Sequence, residues 1–167
     1  MNKQFLLNIV YILLGSALLG ISYNIISPSG IPLIAEKTQL IKTGLDDFIT
    51  SPNNSEENTA REIDLKTAFE IHQKDLAIFV DGRDEWEYGE GRIAGAINMP
   101  DYNFEDHIDE YNSMDKNLNY IVYCGGDDCD ISIRLAKKMK ELGFTNVYVF
   151  SGGWDQWFAA NFPVDND

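Results

Sequence analysis

Cys124 and Cys129 are the only cysteines in the 167-residue chain, and the segment that carries them is suited to thiol chemistry. Cys124 follows an apolar run at 120–123 that reads as a buried strand, and a helix is expected from about Asp130. Between them lie Gly125, Gly126, Asp127, Asp128 and Cys129. Glycines let successive backbone N–H groups turn inward, and a helix N-terminus adds partial positive charge. Both effects favour the thiolate, which is the nucleophilic form. The backbone amides of Gly125, Gly126, Asp127, Asp128 and Asp130 are therefore the expected binding groups for whatever Cys124 carries. Taken alone, a cysteine at a strand end is also compatible with inert packing. Two cysteines are too few for a disulfide scaffold, and a four-thiolate zinc site lacks its second pair. No metal or cofactor is expected.

The elements that must position this loop follow from the pattern after Ala60. Asp64 is placed to cap a helix whose Leu65, Ala68, Phe69 and His72 share a face. Short apolar runs at 76–80, 96–99, 120–123 and 147–150 read as strands. Helices are expected at 84–90, at 103–114 and at 154–160. Ile131, Leu135, Met139 and Leu142 recur at helical spacing, with Lys137, Lys138 and Lys140 near the end and Gly143 as the stop. Strands alternating with helices predict an α/β domain with a central parallel sheet flanked by helices.

Several ordered motifs surround the loop. They are Asp81-Gly82-Arg83, then Glu87-Tyr88, then Gly91-Arg92-Ile93-Ala94-Gly95-Ala96-Ile97-Asn98-Met99-Pro100. Further on come Ile121-Val122-Tyr123-Cys124, then Gly143-Phe144, Val147 and Gly152-Gly153-Trp154 with Trp157. Together they resemble the rhodanese-like domain family over roughly residues 61–164. The resemblance implies a small α/β domain and a catalytic Cys124 that carries sulfane sulfur as a persulfide. It also implies a scaffolding role for Asp81 and Arg83.

Three departures from the family pattern bear on activity. Ser132 comes eight residues after Cys124, where single-domain members usually have the helix-opening Ser at six. No Arg lies between Cys124 and Ser132, so phosphatase chemistry lacks the bidentate partner phosphate needs. The loop is acidic: Asp127 and Asp128 pointing inward would raise the thiol pKa and repel thiosulfate, whereas the flanking glycines favour their pointing to solvent, and Asp130 is expected as a helix cap. Calcium binding is disfavoured because the ligand spacing of a known calcium loop is missing. Cys129 stands where many members carry Arg, and two readings fit it, a resolving thiol or a buried cysteine at the helix start. Arg92, where the family signature has His, is expected at the surface.

Outside the motif region, Phe5 to Ile26 is a run of 22 mostly apolar residues without charge. As a helix it reaches roughly 33 Å, against a bilayer core of about 30 Å. The run is longer than a signal-peptide core and no Ala-x-Ala site follows it, so a single-pass anchor over 1–27 is expected. Residues 28–59 read as a connector, in which Leu40, Ile41, Leu45, Phe48 and Ile49 fit a short amphipathic helix, and 60–167 as the domain. Lys3 before the span favours an extracytoplasmic domain. With 13 basic and 27 acidic groups the formal charge is −14, which argues against nucleic acid as a partner.

The sequence leaves three functions open. The first is a membrane-anchored sulfurtransferase working between a small sulfur donor and a thiol acceptor. The second is a thiol redox module using Cys124 and Cys129. The third is a non-catalytic interaction domain on the same fold. His72 and His107 are the only histidines, and neither lies near Cys124 in sequence.

Overall fold

The computed structural model describes residues 3–27, 40–50, 61–126 and 130–166. It divides into two compact units, 1–37 and 38–167.

The described residues of the first unit form one helix, α1 (Lys3–Ile26). Ile12, Leu19 and Ile26 are 70%, 75% and 80% exposed, and the apolar side chains point in every direction. A stripe facing a protein core is therefore absent from this helix. Residues Lys3–Asn24 are long and apolar enough to cross a membrane, by length and composition.

The second unit is built on six strands: β1 (Ile41–Lys42), β2 (Arg61–Ile63), β3 (Ile78–Asp81), β5 (Ile97–Asn98), β6 (Asn119–Tyr123) and β7 (Asn146–Phe150). They form one parallel sheet in the order β1-β2-β7-β6-β3-β5. A separate antiparallel ribbon joins β4 (Arg92–Ile93) to β8 (Val164–Asp165).

Side-chain alternation sorts the sheet into two cores. Val80, Val122, Val147 and Val149 face the helix α6 (Asp130–Glu141) and the aromatic pair Phe104 and Tyr111. Phe79, Ile121, Tyr123, Tyr148 and Phe150 face α2 (Leu45–Thr50), α3 (Leu65–Gln73) and α7 (Gly153–Ala159). Trp157 of α7 is fully buried there, in ring contact with Phe69, Phe79, Phe150 and Phe162. Its indole N–H donates to the Pro163 carbonyl at 2.8 Å, which satisfies its one polar atom.

Local signals account for most boundaries. Asp64 caps α3 by accepting from the Thr67 amide at 2.8 Å. Asp84 caps α4 (Glu85–Glu90) by accepting from the Glu87 amide at 2.8 Å. Gly143 ends α6 with φ +100, a left-handed backbone that suits glycine. The single helix expected at 103–114 is instead a 3-10 helix, Asp101–His107, followed by α5 (Ile108–Asn112). The two part at His107, whose φ of −112 and ψ of 14 leave the helical region, and Asn103 puts a further kink inside the 3-10 segment. Within the expected connector the helix holds only the later residues, α2 from Leu45, with Phe48 buried against Tyr148; Leu40 and Ile41 are not helical, and Ile41 instead lies in β1, where backbone pairing with β2 in parallel takes it.

Candidate active site

Cys124 directly follows β6, a central strand of the sheet. The chain leaves β6 toward α6 on one face, whereas the neighbouring β7 leads to α7 on the other. Neighbouring strands whose connections diverge in this way open a crevice at their carboxyl ends, where open α/β sheets bind ligands. Cys124 thus lies at the carboxyl end of a central strand, where this rule places ligands.

The cysteine is 1% exposed and disulfide-bonded, not a free thiol. The sequence contains one other cysteine, Cys129, which with Asp127 and Asp128 lies outside the described residues. Gly125 and Gly126 are half-buried, and Asp130 is the first residue of α6. Ser132 is buried in α6.

Helix α7 anchors the start of the loop. The Trp154 amide donates to the Cys124 carbonyl and the Asp155 amide to the Gly125 carbonyl, each at 2.8 Å. Gly153 makes this approach possible, because a β-carbon there would lie 2.4 Å from the Cys124 carbonyl oxygen. Its φ of +56 is a second reason for glycine.

The expected scaffold pair is present. Arg83 Nη2 donates to Asp81 Oδ2 at 2.6 Å and its Nε to Asp81 Oδ1 at 3.0 Å. Nη2 also donates to the Gly91 carbonyl at 2.7 Å. Both side chains are almost fully buried. Burial works against the Arg83 charge, but the Asp81 hydrogen bonds and charge more than offset it and hold the guanidinium pKa above its ordinary value. The guanidinium lies 5.2 Å from the Trp154 ring centroid. Gly91 lies against the same indole, and a β-carbon there would come within 2.8 Å of it. The motif residues therefore act on the cysteine through α7. Asp81 and Arg83 hold the Gly91 turn, that turn and Arg83 hold Trp154, and Trp154 holds the Cys124 carbonyl.

Tyr123, next to the cysteine, is fully buried, and its hydroxyl accepts from the Ile93 amide at 3.1 Å. Burial and the Asp81 carboxylate push its phenol well above the usual range. Arg134 of α6 donates to Asp101 Oδ2 from Nε at 3.0 Å and from Nη2 at 2.7 Å. Arg92 stacks on Tyr88, its guanidinium 4.5 Å from the ring centroid. His72 lies beside the Trp157 cluster, with Nε2 2.8 Å from the Ala94 carbonyl. His107 pairs with Glu110, so both histidines are placed in structural contacts. Among the described residues there is no grouping of His, Cys, Asp or Glu that would hold a metal ion.

Asp155 was not legible as a site residue from the sequence. A β-carbon on Gly126 would lie 2.6 Å from its Oδ2, so this carboxylate sits directly on the loop. The one available signal was its position after Gly152-Gly153-Trp154.

Comparison with known proteins agrees with this architecture. The chain is 29% identical over 109 residues to the thiosulfate sulfurtransferase GlpE of Glaesserella parasuis, covering 65% of this chain and 96% of that protein. It is 27% identical over 121 residues to the tRNA uridine(34) hydroxylase of Sodalis glossinidius, but spans 32% of that protein's length. Among solved structures, the BH2092 protein from Bacillus halodurans superposes with a TM-score of 0.58 at 30% identity, over 63% of this chain and 76% of that one. A protein from Anabaena sp. gives a TM-score of 0.53 at 25% identity, over 62% of this chain and 90% of that one. Residues 64–160 match the Rhodanese-like domain, and the chain belongs to that family.

Proposed function

We propose that this protein is a sulfurtransferase whose Cys124, once reduced, carries sulfane sulfur as a persulfide between a small donor and a thiol acceptor. The observation that carries the reading is the placement of Cys124 at the carboxyl end of a central parallel strand, at the mouth of the loop into α6. The similarity to a thiosulfate sulfurtransferase over nearly that protein's whole length supports it. In the loaded state the amides of the 125–130 loop would hold the terminal sulfur, as glycine-rich turns hold anions.

The disulfide at Cys124 favours a second reading, a redox module in which Cys129 is the resolving thiol. The two readings join in one cycle if a dithiol reductant must open the disulfide before Cys124 accepts sulfur. A disulfide also suits an oxidising compartment. With Lys3 preceding an apolar helix of spanning length, the proposed arrangement is a single-pass anchor with the domain outside the cytoplasm.

The test is to reduce the full chain with a dithiol, remove the reductant, offer polysulfide or thiosulfate, and read intact mass. Wild type and Cys129→Ser should gain one sulfur, and Cys124→Ser none. A reversible two-proton mass change without sulfur gain would favour the redox module. No change in any variant would favour a non-catalytic interaction domain.

A further inference from the structure

Asp155 places a carboxylate on the Gly125-Gly126 segment directly after the nucleophile. Its amide is fixed on the Gly125 carbonyl, and its Oδ2 is 2.6 Å from where a β-carbon of Gly126 would stand. Asp155 is exposed, and among the described residues no cation pairs with it. Basic side chains of the Asp-x-Arg motif and of α6 are engaged elsewhere. Arg83 is bound to Asp81 and the Gly91 carbonyl. Arg134 is bound twice to Asp101 Oδ2. Lys138 Nζ reaches Asp101 Oδ1 at 3.1 Å and Glu105 Oε1 at 3.4 Å. The described part of the loop therefore has a negative charge beside it and no unpaired arginine to balance it. A dianionic donor such as thiosulfate is repelled from such a site, while a donor bearing an ammonium group is attracted.

We propose that Asp155 is a specificity-determining residue, selecting persulfides on uncharged or amine-bearing carriers over dianionic donors. The inference rests on the sulfurtransferase reading and names its donor class. After a dithiol has opened the disulfide, the Cys124 thiol loses its proton and the thiolate attacks the outer sulfur of the donor R–S–SH. The donor S–S bond breaks, and R–S⁻ leaves and takes up that proton. The products are Cys124–S–SH and R–SH, so atoms and charge balance.

The test uses the full chain in detergent, reduced and freed of reductant, with persulfide formation on Cys124 timed by rapid quench and intact mass. The donors are thiosulfate and cysteamine persulfide. Asp155→Asn should speed loading from thiosulfate roughly tenfold, the scale of one removed charge acting on a dianion at a partly solvated site, and should not speed loading from cysteamine persulfide. Asp155→Glu should keep the wild-type preference. In wild type, added salt should raise the thiosulfate rate relative to the cationic donor. Equal changes for both donors in Asp155→Asn, no change for either, or a salt-independent preference in wild type would overturn the assignment. Wild type that loads from neither donor would instead remove the sulfurtransferase reading on which it rests.

Discussion

The Trp154 amide donates to the carbonyl of Cys124 at 2.8 Å, so the helix after the last core strand holds the candidate nucleophile in place. The indole of the same residue lies over Arg83 and against Gly91. One tryptophan thus joins the Asp-x-Arg and Gly motifs to the backbone of the cysteine.

Gly153→Ala tests that coupling. A methyl group at this position meets the Cys124 carbonyl, and φ +56 disfavours any side chain. The variant should lose about 1–3 kcal/mol of stability by urea denaturation. Its sulfur loading should fall further than that loss explains, because the loop must shift.

Arg83→Met should be more damaging to stability and act further from the sulfur. It leaves the Asp81 carboxylate buried without its partner and frees the Gly91 carbonyl. A loss of about 3–5 kcal/mol is expected from equilibrium unfolding. The double variant Asp81→Asn/Arg83→Met should recover part of it, because the unpaired buried charge is then gone.

The alternation of valines and aromatic residues along β6 and β7, and the Asp64 cap of α3, were readable because each is a local pattern. The scaffold pair was readable only through the family motif, since nothing in Asp81-Gly82-Arg83 says that Arg83 also reaches Gly91. Strand β1 is hidden in the sequence because a two-residue strand carries no period of its own and Ile41 equally fits the helical spacing of Leu45, Phe48 and Ile49. The ribbon between Arg92 and Asp165 was missed because it joins positions far apart in sequence. Spacing left the redox state of Cys124 open, and Asp155 becomes a loop residue only when α7 folds back onto β6.

Alkaline pH should unfold the domain through its buried phenols. Burial, aided by the Glu110 carboxylate, pushes Tyr111 up to about 12. Burial likewise raises Tyr120, Tyr123 and Tyr148. A phenol whose folded pKa is raised contributes stability that is fully present below its unfolded value, about 10, and is lost as pH rises through the folded value. The urea midpoint should therefore fall between about pH 10 and about 12, with tyrosinate absorbance rising cooperatively at unfolding.

Helix α1 should decide partitioning. Expressed in cells, the full chain should sediment with membranes and resist extraction by high salt, as a spanning apolar helix requires. A chain beginning at Thr38 should remain in the supernatant. Recovery of a shortened, salt-extractable protein would show cleavage after the helix instead.

Cys124 as the sulfur carrier stands or falls on one mass measurement. That measurement is the intact mass of the reduced full chain after exposure to a sulfane donor, with wild type, Cys124→Ser and Cys129→Ser compared side by side. Wild type and Cys129→Ser should each gain one sulfur, removable by cyanide, and Cys124→Ser none. Equal loading of Cys124→Ser, or no loading of wild type by any donor, would contradict it.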